Sequence, residues 1–539
     1  MRLKPAGKLI ILIVVLGVAF GAYRMYTGGG FAGLIPGKEV QASSVPVKAD
    51  LPDINFDNPA PGSNVNVAMP GSSPGCTDEP EMRFLLWAWN SQMGLMFANG
   101  GQQAAQNSLM CANDVNLKLI RQDDPTKMQE ELVTFAQELK RGTANPTKGA
   151  HFVAIMGDGS AAFLKGVNDT LKRLGPEYMA KVVGSCGYSV GEDKFMGPQS
   201  WKSNPAASRG GVVSGYLRDG DWNIAMKWLA DNGLKNNPDE TTWDPDALNW
   251  VAANDYVDAA EKYIAGYSET RDVVRNGKRT GEKKRITVNG VVTWTPGDVS
   301  VASKKGGLVS IVSTKEYSSQ MPNTIIGIDK WMRANPKRVE GMLSAIFRGS
   351  ESVRSSESAL QKAGGISSEV YGEQDADYWV KYYKGVQEMD KTGMEVDLGG
   401  SRVNTLSDNL LLFGMVPGSA NLFAATYQVF GDIVKDQYPN LMPNYYPITR
   451  ILDTRYVAAI AKRAGGVAKV DTSPIKNTFK PTAGRSNPVI SRRSWNIQFA
   501  TGQAQFTQSA RNTLSRLLKD LLIASGTIIE IHGHTDSVG

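Results

Sequence analysis

The alternation of strand and helix patterns from residue 82 onward is the feature that most restricts how this chain can fold. Short buried-strand patterns occupy 82–89 (MRFLLWAW), 115–122 (VNLKLIRQ) and 151–156 (HFVAIM), and helical patterns follow the last two. Asp124 and Pro125 supply an N-cap and a first helical residue for the helix after 115–122. Units of this kind build a parallel sheet with helices on both faces, so we expect an α/β fold.

A second alternating unit begins at 210–234 (GGVVSGYLRDGDWNIAMKWLADNGL). The segment 285–298 contains Asn289-Gly290 between two β-rich runs, a pair that favours a two-residue hairpin turn. A further strand is expected in GGLVSIVSTKEY, and the remainder to about residue 462 is predicted to be helical. The basic run at 275–285 (RNGKRTGEKKR) is interpreted as a solvated hairpin or loop.

Composition limits the range of functions. The chain has 539 residues, more than one domain usually holds, with 41% hydrophobic residues, 21% charged residues and a net charge of +6. This charge is small for the length and scattered, so we expect no nucleic-acid partner. The sequence contains no Walker or His-Glu-x-x-His motif. We therefore predict no enzyme activity, no catalytic residue and no cofactor.

The first 26 residues predict a membrane anchor or signal segment. Arg2, Lys4 and Lys8 precede an uncharged apolar run at 9–23, which places the N-terminus in the cytoplasm and exports the rest of the chain. The run is shorter than the roughly 20 residues that span a bilayer, so a cleaved signal peptide is the alternative. Residues 27–81 are rich in proline and glycine and are predicted to be a linker, as are residues 463–488.

Export makes a disulfide plausible. Cys76 and Cys111 each lie shortly before a predicted strand, so they meet at one end of the sheet if these strands are parallel neighbours. The alternative is three buried free thiols, and Cys186 stays unpaired in either case.

Candidate ligand-binding residues are selected by the rule that open α/β sheets bind ligands beyond the carboxyl ends of their strands. That rule selects Trp89, Asn90 and Ser91, then Asp123-Asp124, and the turn 157–160 with Asp158 and Ser160. Ser160 opens a helix, where free N–H groups attract anions, whereas a carboxylate at Asp158 repels them and favours an ammonium group. Asp158 can instead simply cap the helix. Trp89 and Trp294 either stack on a ligand or fill an apolar core.

No metal site is predicted. His532 and His534 share a face of one strand but have no cysteine nearby, and His151 is interpreted as structural. Asp219-Gly220-Asp221 begins like a calcium loop, yet no further acidic residue follows at ligand spacing, so Asp221 is interpreted as a helix N-cap.

The middle region resembles the periplasmic solute-binding proteins of ABC transporters for nitrate, sulfonates and related solutes. The resemblance rests on the order of GEDKFMGP, GGVVSG with DWNIAMKWLADNGL, VVTWTPGD, and VSIVSTKEY with IIGIDKWMRANPKRVEGMLSAI. It implies a two-lobed domain over residues 82–462 that binds a small-molecule solute in a cleft between the lobes and closes by a hinge.

The C-terminal segment 489–539 resembles the first half of an OmpA-like peptidoglycan-binding domain, a partial α+β unit. The matching residues are WNIQFATGQAQF, the helical pattern after it, and TIIEIHGHTDSVG. The resemblance implies that Asp536, with Thr535 beside it, binds the diaminopimelate of the peptidoglycan stem. An arginine from the following helix is the expected second ligand and is absent here. We therefore expect either a fragment of a longer protein or a truncated domain that binds the wall weakly.

Together these features predict a single-pass inner-membrane protein with its bulk in the periplasm, a solute-binding-like domain and a peptidoglycan anchor. One alternative is a wall-anchored subunit of an ion-driven motor or envelope complex, but the apolar run at 9–23 has no carboxylate to carry an ion. The other is an enzyme that uses the two-lobed cleft.

Overall fold

The computed structural model describes residues 43–46, 48, 51, 67–466 and 506–514. Two six-stranded sheets, each covered by helices, form two lobes. The two-lobed α/β architecture predicted from the sequence is thereby confirmed.

The first lobe contains the sheet with strand order β17-β4-β14-β3-β1-β2. β1 pairs in parallel with β2 and β3, whereas β14 runs antiparallel to β3 and β4. The strands of this sheet are β1 (Met82–Leu86), β2 (Leu117–Arg121), β3 (Phe152–Met156), β4 (Ala180–Ser189), β14 (Pro322–Ile328) and β17 (Ser401–Val403).

The second lobe contains the sheet with order β13-β5-β12-β6-β9-β7 and a smaller sheet with order β11-β10-β8. β6 pairs in parallel with β9 and β12. The strands of the larger sheet are β5 (Lys194–Gly197), β6 (Val212–Gly215), β7 (Lys235–Asn236), β9 (Ala247–Ala252), β12 (Gly290–Thr293) and β13 (Val309–Ser313); those of the smaller sheet are β8 (Thr242–Trp243), β10 (Ser268–Arg275) and β11 (Lys278–Thr287).

Helices follow most strands. They are α1 (Met93–Asn99), α2 (Pro125–Lys140), α3 (Ser160–Leu171), α4 (Gln199–Ser203), α5 (Gly220–Asp231), α6 (Tyr256–Ala265), α7 (Gly297–Lys304), α8 (Asp329–Ala334), α9 (Pro336–Ser355), α10 (Glu357–Tyr371), α11 (Ala376–Lys384), α12 (Leu406–Leu412), α13 (Leu422–Gln437), α14 (Ile448–Ile451) and α15 (Arg455–Arg463). The Asp124 side chain accepts from the N–H groups of Thr126 and Lys127, so the predicted cap of α2 is present.

Three segments join the lobes. Residues 190–193 lead from β4 into β5, and residues 314–321 return from β13 to β14. The third is the hairpin of β15 (Val386–Met389) and β16 (Glu395–Leu398), which lies in a region predicted to be helical. Its turn reaches the second lobe, where Asp390 Oδ2 accepts a hydrogen bond from the Gly307 N–H at 2.6 Å.

The predicted hairpin at Asn289-Gly290 is wrong, because β11 and β12 belong to different sheets. The hairpin turn lies instead at Asn276-Gly277, between β10 and β11, where both residues have positive φ angles of 51° and 74°. Gly290 has a different role: a Cβ there would lie 3.0 Å from the Trp201 ring.

The residues that the structure describes extend into the predicted linker 27–81. Residues 67–81 lie against the first lobe, and Leu51 is fully buried. Cys76 and Cys111, the two cysteines expected to pair, are bonded through their Sγ atoms, and β1 and β2 are indeed parallel neighbours. Cys186 is a buried free thiol.

The predictions for the membrane segment at 1–26, and for Thr535 and Asp536, fall outside the described residues. None of the helices within the described ranges combines the length and apolar character that a membrane span needs.

Candidate ligand-binding cleft

A cleft lies between the lobes at the carboxyl ends of strands from both sheets. From the first lobe, Trp87, Asp123 and Met156 line it, at or just after the ends of β1, β2 and β3. From the second lobe it is lined by residues that follow β6, β9 and β12: Tyr216, Asp219, Gly220, Asp221, Asp255, Tyr256 and Trp294. The water-accessible space inside it is only about 10 Å³, room for about one water molecule, within an envelope of about 270 Å³ that includes the open mouth. This is where open α/β sheets bind ligands.

Three aromatic rings form one wall of the cleft. The Trp294 ring lies 5.7 Å from Trp87 in an edge-on arrangement and 3.7 Å from Tyr256, centroid to centroid. Trp294 Nε1 donates to the Ala88 carbonyl at 3.1 Å and thereby joins the lobes directly. Trp294 was predicted to contact ligand or to fill a core, and it lines the cleft while packing on both lobes.

The other predicted first-lobe residues lie deeper, at the junction of the lobes. Trp89 Nε1 donates to Asp193 Oδ2 at 3.2 Å, and Asn90 Nδ2 donates to Glu192 Oε1 at 3.0 Å. Ser91 Oγ accepts from Asn323 Nδ2 at 3.0 Å. The first two contacts hold the strand end against the first crossing segment, and the third holds it against β14. None of the three residues lines the cleft, so a direct ligand role for them stays a prediction.

Ser160 and Asp158 have different environments although both are buried. Ser160 Oγ donates to the Met156 carbonyl at 3.2 Å and contacts Thr324 Oγ1. Asp158 does not cap α3, because the N-cap residue is Gly159. Instead, Asp158 Oδ2 accepts a hydrogen bond from Gln320 Nε2 at 2.8 Å. Burial raises the pKa of Asp158 well above its ordinary value, an effect that the Gln320 hydrogen bond partly opposes.

Asp158 belongs to a group that we call the acidic cluster: Asp158, Asp193, Asp219 and Asp221. Asp219, not Asp221 as predicted, is the N-cap of α5, and its side chain accepts from the Gly220 N–H. Asp221 lies in the first turn and is 6% exposed. Burial raises the pKa of Asp219 to about 6, and it raises the pKa of Asp221 well above the ordinary value, with Asp193 adding like-charge repulsion.

A buried ion pair lies beside the acidic cluster. Lys194 Nζ pairs with Asp298 Oδ2 and donates to the Asp397 carbonyl at 3.1 Å, and both charged side chains are completely buried. The Gly399 N–H donates to the same Asp298 oxygen at 3.2 Å. The pair therefore ties the second lobe to the β15–β16 hairpin.

Sequence reasoning missed Trp87, Asp219, Asp255 and Tyr256. The carboxyl-end rule was applied only to the first three strands; applied to β6 and β9, it selects Asp219, Asp255 and Tyr256 as well. Trp87 is the first residue after β1, two residues before the selected Trp89, so strand alternation does not distinguish the two.

No family model matches the chain, and no curated protein matches it either. Solved structures with a similar fold include the periplasmic nitrate-binding protein NrtA of Synechocystis PCC 6803. That protein is 10% identical, with a TM-score of 0.43 over 70% of this chain and 92% of the other. The periplasmic aliphatic sulphonate-binding protein SsuA of Escherichia coli is 12% identical, with a TM-score of 0.42 over 76% and 96%.

The desulfurization enzyme DSZB is also similar, at 10% identity and a TM-score of 0.40 over 72% of this chain and 100% of the other. Binding proteins and an enzyme thus occur side by side among these structures. At such identities and scores the likeness carries no inference about ligand or activity.

Proposed function

We propose that this protein is an exported solute-binding protein, tethered to the inner membrane by residues 1–26 and attached to peptidoglycan through its C-terminal segment. The observation that carries solute binding is the cleft itself. It lies at the carboxyl ends of strands from two lobes, and three crossing segments join those lobes. This geometry suits a molecule that encloses a small ligand by hinge motion.

Solute binding is tested with the full-length protein by thermal shift and tryptophan fluorescence. Trp87 and Trp294 line the cleft, so a bound ligand should change their emission. The panel contains nitrate, methanesulfonate, phosphate, amino acids and simple amines. A saturable response to any of them supports the proposal. No response to the whole panel contradicts it and leaves the two-lobed domain as a scaffold.

Wall attachment is a separate part of the proposal and has a separate test. By resemblance to OmpA-like domains, Asp536 pairs with the ammonium group of diaminopimelate, because a fixed carboxylate suits that charge. Protein expressed from the complete gene should pellet with purified sacculi, and Asp536→Ala should abolish pelleting. Equal pelleting of parent and variant contradicts the role of Asp536.

A further inference from the structure

The acidic cluster brings together carboxylates from both lobes and from a crossing segment. Asp158 follows β3, Asp193 lies in the crossing 190–193, and Asp219 and Asp221 begin α5. Asp193 is completely buried, Asp158 is 2% exposed and Asp221 is 6% exposed. Burying several carboxylates in one place is costly unless a positive charge or protons compensate them.

Three oxygens of the acidic cluster accept no hydrogen bond from any residue that the structure describes. They are Asp158 Oδ1, Asp193 Oδ1 and Asp221 Oδ1. Buried polar atoms are nearly always paired. Asp221 lines the cleft, so its unpaired oxygen indicates a site for a donor from outside the chain; Asp158 and Asp193 do not line the cleft but lie near enough to act on the charge of Asp221. A proton shared between Asp193 and Asp221 pairs one oxygen of each, and Asp158 Oδ1 still lacks a donor.

The nearby lysine does not fill this role. Lys194 acts on Asp193 electrostatically, but its Nζ is engaged by Asp298 and the Asp397 carbonyl. Nor do the described residues contain a group of three or more His, Cys, Asp or Glu side chains arranged to hold a metal ion. The missing donor is therefore better supplied by N–H groups than by a metal.

The aromatic residues that line the cleft suit a positive charge as well. The rings of Trp87, Tyr256 and Trp294 can attract an ammonium group, an interaction worth about 0.5–2 kcal/mol. A cleft lined by both carboxylates and aromatic rings is complementary to an organic cation.

An anion is disfavoured at the same place. The N-termini of α3 and α5 approach each other so closely that a Cβ on Gly159 would lie 1.8 Å from Asp219 Oδ1. Free N–H groups at helix N-termini attract anions, but here the Asp219 carboxylate already occupies the space between them. Nitrate or a sulfonate would enter beside negative charges.

We propose that the cleft binds a small organic amine, with its ammonium group hydrogen-bonded to Asp221 and Asp158 and its carbon atoms against Trp87, Tyr256 and Trp294. This inference rests on the proposed solute-binding function and assigns the chemical class of its ligand.

The test is isothermal titration of the full-length protein with methylamine, putrescine and choline, and in parallel with methanesulfonate and nitrate. We expect saturable binding of at least one of the two primary amines and none of either anion. Asp221→Asn and Asp158→Asn should each weaken amine binding about tenfold or more, because a charge-assisted hydrogen bond is lost. Asp377→Asn, the same change at an exposed position on α11, should leave binding unchanged.

Each outcome is decisive. Binding of an anion without any amine overturns the amine assignment but leaves the solute-binding function standing. Binding of choline alone also overturns it, because choline has no ammonium N–H. Amine binding that survives both Asp221→Asn and Asp158→Asn places the amine elsewhere and overturns the assignment. No binding of any solute contradicts the proposed function as well. Circular dichroism establishes that each variant is folded before its affinity is interpreted.

Discussion

Asp221 is the residue at which the acidic cluster should most visibly affect stability. Burial and like-charge repulsion raise its pKa, and the pKa of the neighbouring Asp219 is about 6, compared with an ordinary value near 4. The folded protein thus holds these protons more tightly than the unfolded chain does. The stabilising contribution of Asp219 is full below about pH 4 and is lost as the pH rises through about 6, and that of Asp221 is lost as the pH rises through its own raised pKa. One unit of pKa shift corresponds to about 1.4 kcal/mol.

We therefore predict that Asp221→Asn lessens the fall in Tm as the pH rises from 5 to 9. The amide cannot ionise, so the negative charge that Asp221 would bring beside Asp158, Asp193 and Asp219 at high pH is absent, while the adjacent Lys194–Asp298 pair is unchanged. Differential scanning calorimetry across this pH range measures the effect. In the control Asp377→Asn, Tm should change with pH as in the wild type. If Tm of Asp221→Asn changes with pH in the same way, the prediction is contradicted.

The Lys194–Asp298 pair should contribute strongly to stability only as a pair. Lys194→Met leaves the Asp298 carboxylate buried without its counter-charge, which typically costs about 3–5 kcal/mol. The double variant Lys194→Met/Asp298→Asn removes both charges and should recover part of this loss. Urea unfolding of the two variants measures the difference. A double variant as unstable as Lys194→Met alone would show that packing, not charge, determines the loss.

At the residue scale, the sequence predicted which strand ends face the cleft better than it predicted what each side chain does there. Trp294 does lie between the lobes, but the N-cap of α5 was predicted at Asp221 and is Asp219. Both aspartates fit the local pattern. The choice depends on where the helix meets the other lobe, and that is a contact between residues far apart in sequence.

Among the elements, the hairpin of β10 and β11 shows how a local signal succeeds or fails. Two Asn-Gly pairs occur within 276–290, and both match the two-residue turn pattern. Only Asn276-Gly277 has positive φ at both positions. Asn289 Oδ1 instead accepts from the Val212 N–H, where the chain passes from one sheet to another. The local sequence does not distinguish the two pairs. They differ in strand pairing: β11 pairs with β10 across the first, whereas β12, after the second, pairs with β5 and β6.

The turn makes a prediction for Gly277. Its φ of 74° lies in the left-handed region, where an alanine side chain is strained. Gly277→Ala should therefore destabilise the folded state by about 1–2 kcal/mol, mainly within the hairpin. Hydrogen exchange should show faster amide exchange across 268–287. Gly365→Ala in α10 is the matched control: Gly365 is exposed and an added Cβ would meet only Ala376 Cβ at 4.0 Å. That variant should be neutral or slightly stabilising. Unchanged exchange in Gly277→Ala would show that the turn tolerates a side chain.

For the whole molecule, the two-lobed architecture could be predicted from strand–helix alternation because that pattern is set by local periodicity. The degree of closure could not, because it depends on contacts between distant segments. Across the lobes, the Tyr438 ring lies 5.8 Å from Trp222 and 5.0 Å from the Arg218 guanidinium. Asn236 Nδ2 donates to Gln437 Oε1 at 3.0 Å beside them. These contacts lie on a different part of the interface from Trp294 and Ala88.

Closure and ligand size are linked. In this nearly closed cleft Trp294 of the second lobe already contacts Trp87 and Ala88 of the first, so an extended amine enters only when the lobes separate. A protein whose binding-competent state is partly populated binds with reduced apparent affinity, and weakening the competing closed state removes that reduction.

Tyr438→Ala deletes two of the contacts that hold the lobes together, and we expect it to increase the radius of gyration measured by small-angle X-ray scattering. It should also bind putrescine more tightly than the parent while changing methylamine binding less. Tyr267→Ala, which removes a partly exposed tyrosine elsewhere on the second lobe, should change neither quantity. If Tyr438→Ala instead weakens putrescine binding, the closed arrangement is itself the one that holds the ligand.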